Sequence, residues 1–152
     1  MAECSNSIQK RGSSNPIQSK IVENDHGSTG ASSGDNTIED ITCDASVAIG
    51  DIVRLSGSTI VKAQANNFTN SKAIGICTSK SSTTVCNVQV TGFTTTVFSG
   101  LTSGTLYFLS DSVAGQLTAI PPTTSGSYVI RIGAAFESNK IIMQIQRIVK
   151  RA

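Results

Sequence analysis

Beyond Thr37 the chain is a succession of short apolar alternations separated by turn residues at roughly eight- to twelve-residue spacing, and few folds accept that texture. Successive side chains of a strand point to opposite faces, so period-two alternation gives each segment one face for a core and one for water or a neighbour. Composition agrees. Charged residues make up 14% and aromatics 5%, Trp is absent, and Ser, Thr, Gly and the β-branched residues dominate. β-Branched side chains lose rotamer freedom in a helix but pack well on a pleated surface. The expected fold is all-β, an antiparallel β-sandwich or small β-barrel over residues 37–149, preceded by an extended arm.

Nine strands are expected, over residues 37–42, 52–55, 59–64, 73–79, 84–91, 105–109, 115–119, 128–135 and 140–149. Two hairpins can be read in more detail. Ser56-Gly57-Ser58 separates two apolar runs, and Gly57 supplies the positive φ that a tight connection needs. Glu137-Ser138-Asn139-Lys140 turns the strand of Ile130-Arg131-Ile132-Gly133 back on itself, which places Ile141, Met143 and Ile145 on a core face and Gln144 and Gln146 on a wet one. Gly133 inside a strand marks a bulge or the close approach of another backbone.

Residues 1–36 read differently. They are rich in Ser, Gly and Asn, and the run from Asp25 to Asp35 reads as a flexible linker. Such a segment cannot bury enough apolar surface to fold alone. Two readings stand side by side: a disordered tail, or an arm ordered across a neighbouring subunit. In the second, Ile8, Ile17, Ile21 and Val22 are the apolar residues and Lys10, Arg11 and Lys20 the polar contacts. The start of the chain lacks the basic stretch and apolar core of a secretory signal, and no apolar run reaches the roughly 20 residues that span a bilayer. Cytosolic synthesis is the expectation.

Chemistry is sparse. His26 is the one imidazole and lies in the linker, where no rigid element holds a nucleophile or an orienting partner against it. The nearby glycines lack the strand, helix and Gly-Lys-Ser/Thr of a phosphate loop. Glu39, Asp40, Asp44 and Asp51 lack the alternating donor order of a calcium loop and read as solvated turn acids. Asn67-Phe68-Thr69 matches a glycosylation sequon, a short pattern that often occurs by chance. The basic end, with Arg147, Lys150 and Arg151, has no interleaved aromatics in sequence, so residues 150–152 read as a solvated or partner-facing terminus and not as a nucleic-acid site. No catalysis, cofactor, metal, membrane, nucleic-acid or small-molecule partner is expected.

The four cysteines fit no paired zinc spacing. If the strands around residues 73–79 and 84–91 form a hairpin turning symmetrically about Ser81 and Ser82, Cys77 faces Cys86. Directly opposed residues at a non-hydrogen-bonded position bring their Cα atoms to roughly 4.5 Å, near the lower limit for a disulfide. The alternative, favoured in a reducing cytosol, is a pair of buried thiols acting as small hydrophobes. Cys4 is a candidate for a bond between subunits.

In order along the chain, Leu101-Thr102-Ser103-Gly104-Thr105-Leu106-Tyr107-Phe108-Leu109-Ser110, then Ala114-Gly115-Gln116-Leu117-Thr118, Pro121 to Val129 and Ile132-Gly133-Ala134-Ala135 resemble the recurrent β-module of tailed-bacteriophage structural proteins. That module occurs in capsid decoration proteins, head fibres and some tail fibres. Val47 to Val53 and Ala73 to Cys77 fit the same pattern, so the resemblance covers about Asp44 to Ile145 and leaves the arm aside. It implies a non-enzymatic protein added to the outer capsid surface of the virion, usually as a homotrimer, with the major capsid protein or other virion proteins as partners. Capsid decoration, with stabilisation of the shell, is the first reading. The alternative is a head or tail fibre or tail-tip protein that docks by its N-terminus and binds a host receptor or glycan.

Overall fold

The computed structural model describes residues 36–152. The arm residues Cys4, Ile8, Lys10, Arg11, Ile17, Lys20, Ile21 and Val22, and the linker with His26, lie outside the described residues. Ten strands and no helix form among the described residues. One antiparallel sheet contains β1 (Thr37–Thr42), β2 (Ile52–Ser56), β3 (Thr59–Lys62), β4 (Ala73–Ser82) and β5 (Val85–Gln89), in the order β1-β5-β4-β2-β3. The other contains β6 (Gly92–Phe93), β7 (Leu106–Leu109), β8 (Leu117–Thr118), β9 (Tyr128–Glu137) and β10 (Lys140–Lys150), in the order β6-β10-β9-β7-β8. They are called sheets A and B below. Neither closes into a barrel, so the layered form of the two expected architectures is the one observed.

The sheets share a core to which each gives alternate residues: Ile52, Ala63, Ala65 and Ile76 from the side of sheet A, and Leu109, Ile130, Ile132 and Met143 from sheet B. Burying each of the larger side chains is worth roughly 1.5–3 kcal/mol, which makes this seam the main source of stability. Sheet A has a second interior. Val53, Ile60, Cys77, Cys86 and Val88 pack with Cys43 and Val47 on its other face. Neighbouring residues on β2 and β4 are therefore both buried: Ile52 and Val53 are each 0% exposed, as are Ile76 and Cys77.

The local devices fall where the residues require them. Ser56 pairs with Thr59, so the β2–β3 loop is Gly57-Ser58, one residue shorter than expected, with Gly57 at φ 62°. Gly133 answers to both readings: the register shifts between it and Arg131 against β7 and β10, and a Cβ there would run into the Ile142 carbonyl oxygen. At the other end of the hairpin, β10 runs on to Lys150 and the last residues are stitched to the domain. The Arg151 amide donates to the Ser127 carbonyl (2.8 Å) and its Nε to the Pro122 carbonyl (3.0 Å).

The β4–β5 hairpin corrects the expected disulfide register. Cys77 pairs with Val88 and Cys86 with Lys80, because the register shifts between Cys77 and Ser79 and again between Lys80 and Ser82. Each irregularity adds a residue to β4, so the symmetric turn that would set Cys77 opposite Cys86 does not form. Cys43, Cys77 and Cys86 are buried free thiols. Burial first, and then the Cys43 and Cys77 side chains beside it, push the Cys86 thiol up to about 12. Burial likewise raises Cys77 above the ordinary thiol range. A thiol in that state is neutral at physiological pH and packs as a small hydrophobe.

Candidate interaction surface

Sheet B turns one face to the shared core, and the register fixes what lies on the other. Leu106 of β7 pairs with Ala134 of β9, Ala134 with Ile142 of β10, and Ile142 with Phe93 of β6. Paired residues share a face, so these four form one row across four strands. The adjoining row, Tyr107, Gly133, Met143 and Gly92, faces inward, and Tyr107 and Met143 are buried. The outward row is exposed: Leu106 45%, Ile142 39% and Phe93 60%. Phe136 lies two residues beyond Ala134 on the same face, is 51% exposed, and meets the Phe93 ring edge-to-face at 5.5 Å and 86°.

Short polar contacts hold this row in place. The Thr94 amide donates to the Ile141 carbonyl (2.9 Å), and the Ile141 amide donates to Thr94 Oγ1 (2.9 Å). The Gln89 side-chain Nε2 donates to the carbonyls of Thr91 and Phe93. These bonds extend the two-residue strand β6 and keep Phe93 on the sheet. Polar pairs border the row: Lys140 with Glu137 at 3.1 Å, and Arg131 Nη2 with Gln144 Oε1 at 3.2 Å. An apolar centre with a polar margin is the anatomy of a protein-binding surface.

The remaining clefts offer less. An open pocket of about 250 Å³ is lined by Gly50, Phe98, Leu101, Tyr107, Gln116 and Leu117 among others. Its polar ends are already engaged, since Tyr107 Oη accepts from the Thr102 amide (3.0 Å) and Gln116 Nε2 reaches Asp51 Oδ1 (3.4 Å). Asp51 corrects the reading of the acidic group as solvated: it is 2% exposed, its carboxylate accepting from the Ala48 amide (2.9 Å) and Lys62 Nζ (3.0 Å). Glu39, Asp40 and Asp44 are exposed as expected. Among the described residues no group of three or more His, Cys, Asp or Glu is placed to hold a metal ion.

Strand alternation by itself would place most aromatics in the core, but Phe68, Phe93 and Phe136 are all more than half exposed, while Tyr107 and Phe108 are buried. Alternation assigned the strands correctly without showing which second face acquires a cover. The apolar spacing of Leu106, Ile142 and Phe136 was the available signal. It acquires meaning only with the pairing that brings them into line.

No protein-family model, curated protein or solved structure matches the chain.

Proposed function

We propose that this chain is a non-enzymatic structural protein of a tailed-bacteriophage virion, a decoration or cement protein that binds the assembled shell from outside and stabilises it. The observation that carries the reading is the exposed Leu106–Ala134–Ile142–Phe93 row with Phe136, an apolar face with a polar margin. Exposed apolar patches of this kind mark binding sites. The row is short of sugar-binding features: its two rings meet each other edge-to-face beside Ile142, and polar side chains are confined to the margin. That favours a protein surface over a glycan and counts against the glycan-binding form of the fibre alternative.

A ligand that binds only the assembled state stabilises it by mass action, and many weak seats on a lattice act together. A homotrimer on the outer capsid surface, made in the bacterial cytoplasm and gripping the major capsid protein, fits that arithmetic. In this reading residues 1–24 reach across a subunit seam, with Ile17, Ile21 and Val22 as anchors. The test is copy number and occupancy on purified particles. Decoration requires hundreds of copies per particle on the head and a large loss of occupancy when residues 1–24 are deleted. A few copies at the tail would replace this reading with the fibre alternative.

A further inference from the structure

The basic end has no aromatics beside it in sequence, yet folding supplies them. Arg147 of β10 lies with its guanidinium carbon 5.0 Å from the Phe68 ring centroid and 5.7 Å from that of Tyr128. Lys72 Nζ stands 4.6 Å from the Phe68 centroid, and the two rings meet edge-on at 6.2 Å. Lys150 pairs with Tyr128 across the β9–β10 ladder.

The scaffold beneath is fixed by the backbone. The Asn67 side chain accepts from the Asn70 amide (2.9 Å) and Ser71 Oγ donates to the Phe68 carbonyl (3.0 Å), which shapes the loop carrying Phe68. The Tyr128 amide donates to the Ala65 carbonyl (2.7 Å), fastening that loop to the start of β9. Among the described residues the ion pairs are Lys62–Asp51 and Lys140–Glu137, so Lys72, Arg147 and Lys150 face solvent with no carboxylate partner there. A guanidinium held against rings keeps its N–H rim free and loses little entropy when it takes up an anion.

From this geometry we infer that Arg147 and Lys72, seated on Phe68 and Tyr128, together with Lys150, which pairs with Tyr128 on the ladder, form a binding site for carboxylates on an acidic protein surface. The inference rests on the proposed shell-binding role, because it names the chemistry of the partner. Two features favour a protein over a nucleic acid. Each ring already faces a cation, and the two are set edge-to-face, not as the parallel platforms on which successive bases stack. Exposed Ile148 and Val149 adjoin the cations, giving the mixture of aromatic, Arg and apolar side chains enriched at protein interfaces.

Fluorescence anisotropy at low ionic strength tests it, using a blocked oligoglutamate peptide and an oligothymidylate of equal charge with the full chain. The peptide is expected to bind more tightly than the oligonucleotide and to lose affinity as salt is added. Arg147→Gln should weaken it about tenfold or more, with Arg147→Lys intermediate because the fork is lost and the charge kept. Phe68→Ala should weaken it by about two- to fivefold. Lys80→Gln, on β4 of sheet A, where Nζ donates to the Val47 carbonyl, should leave it unchanged. Tighter oligonucleotide binding, no peptide binding, or equal losses in Arg147→Gln and Lys80→Gln would overturn the site. Particle occupancy is read separately: absence from virions sinks shell decoration alone, whereas full occupancy by a folded Arg147→Gln variant sinks the carboxylate site alone.

Discussion

Sheets A and B are built alike, five antiparallel strands each, but they treat their second faces in opposite ways. On sheet A the chain after β1 crosses over and closes the face. The Cys43 amide donates to the Thr84 carbonyl and the Asp44 amide to the Ile60 carbonyl, both at 2.8 Å, which ties the β1 end of the sheet to β3 at its far edge. Val47 then packs into the space beneath. On sheet B no such crossing occurs among the described residues, and buried Ile141 is followed by Ile142 at 39% exposure and buried Ala135 by Phe136 at 51%. The same alternation thus makes a second core where a lid is present and a candidate docking face where one is absent.

The comparison breaks first at Ile60, which is fully buried under the lid. Ile60→Ala is expected to cost about 2–5 kcal/mol, while Ile142→Ala on the open face costs less than about 1 kcal/mol. Urea unfolding of the two variants measures the difference directly, and equal costs would mean that sheet B is covered as well. Asp51 is next, because it pins the turn entering β2 to Lys62 and to the loop before β8. Asp51→Ala should cost about 1–3 kcal/mol, discounted because the Lys62 side chain is 28% exposed and can regain water. Thermal unfolding would register this as a fall of several degrees.

The thiols under the lid give the comparison a pH dependence. Cys86 has its folded value pushed up to about 12, with burial the first cause, against an ordinary thiol pKa of about 8.5. The native state therefore holds the proton more tightly than the unfolded chain does. The stability this contributes is fully present below about pH 8.5 and is lost as pH rises from there towards 12. Unfolding midpoints should be flat below that window and fall within it, with a shallower fall in Cys86→Val. In a Cys4→Ser background, thiol reagents at pH 8 should modify Cys43, Cys77 and Cys86 no faster than the domain opens. Rapid labelling of the native protein would show that the lid is not closed.

Much of this was legible in the sequence. All nine expected strands form, since each is a local alternation bounded by turn residues, and the core face of β10 is the one Ile141, Met143 and Ile145 indicated. Strand β6 was missed because two residues, Gly92 and Phe93, cannot show a period. The Cys77–Cys86 register was misread because two irregularities within one hairpin leave no mark in composition. Asp51 looked like any other turn acid, for its partners Lys62 and Gln116 lie on other elements. The Phe68–Arg147 contact joins a loop beside sheet A to a strand of sheet B, and long-range approaches of that kind follow from topology and not from local pattern.

The smallest effect on stability should come from the open face, and there it separates adhesion from folding. Phe93 and Phe136 are more than half exposed and Ile142 39% exposed, so replacing Phe93 and Ile142 by Ser removes modest burial and one ring pair and should shift unfolding by about 1–2 kcal/mol. Their loss from an interface is a different matter, since aromatic anchors at the centre of a contact commonly carry about 2 kcal/mol or more of binding. The double variant should therefore remain folded yet show weaker self-association in sedimentation, or at least tenfold lower occupancy on particles, a loss that 1.4 kcal/mol already produces. If stability drops as far as in Ile60→Ala, the row is part of a core. If neither association nor occupancy changes, the open face of sheet B is not where this domain adheres.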